Sequence, residues 1–78
     1  MCHEIKILPP YYAAVVSGKK KFELRINDRD YKVGDTFVLR EWDPKIGYTS
    51  RIFEGCISYV MKDCPQWGLM DGYVIFGW

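Results

Sequence analysis

The sequence has a single histidine, and none of its three cysteines stands close enough to another to make a Cys-x-x-Cys pair. A structural zinc site takes about four ligands and is usually seeded by two that are near in sequence. Cys2, His3, Cys56 and Cys64 supply suitable atoms without that spacing, so neither a metal nor another cofactor is expected. A thiol nucleophile is no better served. Cys2 adjoins His3 on the opposite face of an alternating segment, and Cys56 falls in an apolar stretch that reads as core. The seven glycines are scattered singly, so there is no glycine-rich loop to cradle a phosphate. No apolar run approaches the roughly 20 residues that span a bilayer, and no basic-then-apolar leader opens the chain. With an odd number of thiols, this points to a reducing cytoplasmic setting, no membrane partner and a monomer. Finally, a net charge of +1 gives no global attraction to nucleic acid. Any such contact has to come from a local patch.

What the chain does have is apolar material. Its 78 residues are 49% hydrophobic and 17% aromatic, enough for one small core and therefore one domain over residues 1–78. Cys2 to Leu8 alternates, placing His3, Ile5 and Ile7 on the inner face of a first strand. Pro9-Pro10 ends that strand and opens a helix through Ser17, with Tyr12, Val15 and Val16 on one face. Strands are expected from Phe22, from Thr36 to Trp42, over Thr49 to Met61 and from Tyr73 to Trp78. A hairpin loop occupies Asp43 to Gly47, Gly55 suggests a bend inside the longest strand, and Lys62 to Leu69 reads as a loop carrying Trp67.

The stretch Gly18-Lys19-Lys20-Lys21-Phe22-Glu23-Leu24-Arg25 stands where the helical pattern gives way to alternation. Gly18 suits the positive φ just past a helix. Beyond it Phe22, Leu24 and Ile26 share one strand face, and Lys21, Glu23 and Arg25 the other. The plain reading is electrostatic housekeeping: lysines complementing a helix C-terminus, and Glu23 beside Arg25 as an exposed pair of little value.

Gly18, Lys20, Glu23 and Arg25 also fit a Gly-x-Lys-x-x-Glu-x-Arg signature, with a short helix before it and a Val33-Gly34-Asp35 turn after it. In these features the chain resembles the ASCH domain of the PUA-like superfamily. From His3-Glu4-Ile5 through Arg40-Glu41-Trp42-Asp43 and Gly47-Tyr48-Thr49 it resembles a compact bacterial and phage branch of that family. The resemblance implies a mostly β, α+β fold: a five-stranded PUA-like β-barrel with one short helix before the motif strand. It further implies a cleft between helix and barrel lined by Lys20, Glu23 and Arg25.

Such a cleft suits an RNA or nucleotide. Arg25 offers a planar fork to a phosphate or base edge, Glu23 accepts from an exocyclic amine, and Lys20 adds a point charge. Lys19 and Lys21 extend the basic patch, with Lys6, Arg29 and Lys32 as possible additions, and Tyr48, Trp42 or Trp67 could stack an unpaired base of single-stranded RNA. His3 is expected as a core-edge imidazole bonded to the backbone. Two alternatives stand beside this. Some ASCH proteins resemble small amidohydrolases of acetylated cytidine, which would make Lys20 and Glu23 catalytic. In those proteins, however, a threonine occupies the place of Glu23 and acts with a later glutamate, and Thr49 or Glu54 could substitute here only if the fold brings them to the cleft. The other alternative is a phage-type accessory module that binds protein, for which a large exposed apolar patch would speak.

Overall fold

Alternation in the first residues does produce a strand. In the computed structural model, which describes residues 1–78, β1 (Cys2–Ile7) buries His3, Ile5 and Ile7 and exposes the residues between them. Pro9 and Pro10 fill the first turn of α1 (Pro9–Val16), where their missing N–H groups have no partner to lose. The helix buries Tyr12 and Val15, while Val16, expected on the same face, is exposed. Tyr12 Oη donates to the Ile52 carbonyl at 3.1 Å, tying α1 to the sheet beneath it.

Five further strands follow: β2 (Phe22–Ile26), β3 (Thr36–Asp43), β4 (Gly47–Cys56), β5 (Tyr59–Lys62) and β6 (Tyr73–Gly77), with a 3₁₀ turn at Pro65–Trp67. They form two open three-stranded sheets. In the first, β3 lies between a parallel β1 and an antiparallel β4; in the second, β6 lies between antiparallel β2 and β5. A core that includes Ile5, Leu39, Phe37, Ile57, Val74 and Phe76 fills the space between the sheets. Phe37 is its aromatic centre, 4.8 Å from the Trp78 ring and 5.4 Å from that of Phe76.

The five-stranded barrel implied by the resemblance is not formed. A barrel requires the main-chain ladder to continue all the way round, and here it is broken twice. The long segment expected from Thr49 to Met61 as one bent strand divides at Ile57-Ser58, so β4 and β5 belong to different sheets. The break is not at Gly55. That glycine lies within β4 because a Cβ there would come within 2.5 Å of the Phe37 ring, so its role is close packing. On the other side β1 and β2 are both sheet edges and do not pair. Side chains bridge them instead: Arg25 Nη1 donates to the Lys6 carbonyl at 3.1 Å, and Arg29 Nη1 donates to the Glu4 carbonyl. The fold is therefore a small α+β arrangement with a seam between two strand edges.

Candidate functional site

The helix terminus sets the position of the motif. Gly18 takes φ +80°, its N–H donates to the Val15 carbonyl, and the Lys19 N–H donates to the Ala14 carbonyl, both at 3.0 Å. This is the Schellman pattern, which closes a helix and reverses the chain sharply. Lys20 emerges from that reversal beside the first residues of β2. Its Nζ donates to the Phe22 carbonyl at 2.7 Å and to Glu23 Oε1.

β2 is turned the opposite way from an ordinary half-buried strand. Phe22, Leu24 and Ile26 are all exposed, Leu24 by 53%, while Glu23 is only 5% exposed. Burying a carboxylate is costly unless it is paired and hydrogen-bonded. Here both oxygens are met, Oε1 by Lys20 and Oε2 by the Arg25 guanidinium at 3.6 Å. The exposed ion pair suggested by the sequence is thus a buried carboxylate held between two cations.

These three side chains line one cleft of about 420 Å³ at the seam, closed by Lys6, Ile7 and Leu8 from the end of β1 and by Tyr11 of α1, with Phe22 and Leu24 completing the wall. Three cations and one carboxylate leave the lining with a net charge of +2. Apolar walls with a few convergent charged groups are the usual composition of a small-ligand site. Lys19 and Lys21, on either side of Lys20, are exposed and do not line the cleft. Lys32 pairs with Asp30 at 3.3 Å, also outside it.

The proposed stacking aromatics are dispersed. Tyr48 and Trp42 sit opposite each other on β4 and β3, and neither lines the cleft. Cations cover both rings: Arg40 lies 4.5 Å from the Tyr48 centroid, and Lys6 lies 4.3 Å from that of Trp42. Trp67 is 81% exposed in its 3₁₀ turn. His3 is buried as expected, but it bonds a side chain: its Nε2 is 2.8 Å from Asp35 Oδ2.

Neither residue considered as a substitute in hydrolysis reaches the cleft. Thr49 Oγ1 donates to the buried Glu41 at 2.6 Å, and Glu54 is exposed opposite Val38. No serine or threonine hydroxyl lines the cleft. Cys2 and Cys56 are exposed and Cys64 is buried, so Cys56 is not the core residue that its surroundings suggested. No three His, Cys, Asp or Glu side chains converge as metal ligands would, and no helix is long and apolar enough to cross a membrane.

The sequence pattern located Lys20, Glu23 and Arg25 but missed Tyr11 and Leu8 as walls. Leu8 directly follows β1 and Tyr11 stands in the first turn of α1, and only the fold turns them toward the motif.

Comparison with known proteins gives two matches. Over 73 residues the chain is 38% identical to an uncharacterised 12.9 kDa protein in the GpA 3′ region of Escherichia phage P2. That alignment covers 94% of this chain and 63% of the phage protein, so the chain spans less than two thirds of its relative's length. The second match is a family model aligned with residues 2–78, and the chain belongs to that family, described as a domain of unknown function (DUF3850).

Proposed function

We propose that the seam cleft binds a nucleotide within single-stranded RNA or a free nucleotide. The observation that carries this is the inversion of β2. A strand chosen only for stability turns its apolar residues inward; this one buries Glu23 and leaves Phe22 and Leu24 at the mouth of a cationic cleft. Local rules broken at one concave place are what a functional site would produce. Arg25, already fixed by the Lys6 carbonyl, presents a fork suited to phosphate, and Lys20 adds charge. Tyr11 and Phe22 offer apolar surface to a planar base. The likeness of Gly18, Lys20, Glu23 and Arg25 to the ASCH signature supports the same reading. Hydrolysis of an acetylated cytidine receives no comparable support, because the cleft lacks the aliphatic hydroxyl that the chemistry would use.

The test is a titration with single-stranded RNAs and mononucleotides, followed by backbone amide shifts. Shifts are expected at Lys6, Tyr11 and residues 20–25, and Lys20→Met is expected to remain folded and lose them. If no ligand moves these amides, the reading is wrong.

A second reading, a protein-binding accessory module, is favoured by one specific feature. The outer face of the second sheet carries Leu24, Ile75 and Met61 in one cross-strand row, with Phe22 and Tyr59 beside it, and most of this row is exposed. Met61→Lys separates the two readings, since it charges this face without touching the cleft. Unchanged nucleotide binding in that variant keeps the two surfaces distinct.

A further inference from the structure

The seam does not end at Arg25. Beyond it lies a second cavity of about 320 Å³, lined on its far side by Arg29, Tyr31 and Tyr73, and Leu24 and Arg25 line both cavities. The Arg25 guanidinium therefore stands as a partition between two lobes of one groove along β2. Its position is fixed by the Lys6 carbonyl on one side and by Glu23 on the other. Arg29 is held in the same way, by the Glu4 carbonyl two residues earlier on β1. The two guanidinium groups thus follow the strand edge, with a cavity against each.

Resting on the nucleotide reading above, we propose that the ligand is a single-stranded segment of at least two nucleotides. One unit occupies the lobe of Lys20 and Glu23, the next occupies the lobe of Tyr31 and Tyr73, and Arg25 meets the phosphate that links them. Three features fit that occupant better than a mononucleotide. A cation at the partition matches a charge repeated along a backbone, whereas a lone nucleotide carries its charge at one end. The second lobe has an aromatic wall of its own in Tyr73, half-buried and so both ordered and accessible. Tyr31 is immobilised, its ring 4.6 Å from that of His3 and stacked on Phe76 at 5.0 Å, which makes it a rigid floor. Burial also raises the Tyr31 pKa above its ordinary value, against the opposing pull of Arg29 and Arg25.

The experiment compares a 5′-mononucleotide with the dinucleotide of the same base by calorimetry and amide shifts on the intact chain. The dinucleotide is expected to bind about tenfold tighter or better and to move amides at Arg29, Tyr31 and Tyr73 in addition to those of the first lobe. Tyr73→Ala, shown by melting to be folded, should bring dinucleotide affinity down toward that of the mononucleotide. Equal affinities, with shifts confined to the first lobe, would overturn the two-lobe proposal and leave nucleotide binding standing. Absence of binding by either ligand would overturn both.

Discussion

The two strands that face each other across the seam, β1 and β2, are both edges, both short, and opposite in design. β1 sends His3, Ile5 and Ile7 inward and leaves Glu4 and Lys6 outside; β2 sends Glu23 inward and leaves Phe22, Leu24 and Ile26 outside. Alternation is present in each, so period alone does not say which face is the core. β1 pairs with β3 and sends its inward residues into the core, whereas Glu23 on the inner side of β2 meets the cleft. The edges are therefore joined by guanidinium groups from the β2 side reaching carbonyls on the β1 side, and not by a ladder. One strand serves the core, and the other lines the cleft.

If that division is right, equivalent truncations should have unequal effects. Ile5→Ala removes a side chain that is 1% exposed and is expected to cost about 2–5 kcal/mol. Leu24→Ala removes an isomeric side chain that is 53% exposed at the cleft mouth and should change stability by no more than about 0.5 kcal/mol. Denaturant melts of the two variants measure the difference directly. Comparable losses would mean that β2 is a core strand after all, and would remove the main support for the cleft.

The turn that delivers Lys20 to β2 gives the next largest effect. A Cβ at Gly18 meets no atom within 4 Å, so Gly18→Val tests backbone strain without a steric clash. At φ +80° a β-branched residue should cost about 1–3 kcal/mol in thermal or chemical melting. An unchanged midpoint would show that the Schellman turn does not determine where Lys20 sits.

What the sequence revealed and what it hid follow the same contrast. The β1 alternation, the Pro9-Pro10 start and the Gly18 stop are local signals, and each is visible within a few residues. Closure of the sheets is not local. It depends on whether β1 and β2 exchange main-chain bonds, and no residue in either strand announces that Arg25 and Arg29 will take the carbonyls instead. The division at Ile57-Ser58 was hidden because apolar residues stand on both sides of the single serine. Gly55 drew attention as a bend because its partner in contact, Phe37, is eighteen positions away. At the site, the motif spacing identified Lys20, Glu23 and Arg25, but the face that Glu23 occupies was set by tertiary packing. Tyr48 looked eligible as an aromatic near basic residues, and the fold placed it under Arg40 on another sheet.

The smallest expected effect concerns the one polar side chain that β1 buries. The hydrogen bond from His3 holds the Asp35 carboxyl below its ordinary value, with the Lys32 N–H and the Met1 ammonium acting in the same direction and desolvation opposing them. A carboxyl whose pKa is lower in the folded chain than in the unfolded one favours folding while it is ionised. That contribution is complete above the ordinary carboxylate value of about 3.9 and is lost as pH falls through the lower folded value. Melting temperatures measured from neutral pH down into this acid range should therefore fall less steeply for Asp35→Asn than for the parent chain. The variant should also melt lower at neutral pH, where the parent keeps the full contribution. Parallel curves across the acid range would show that the inward polar residue of β1 is not tethered through Asp35, and that the strand holds its place by apolar packing alone.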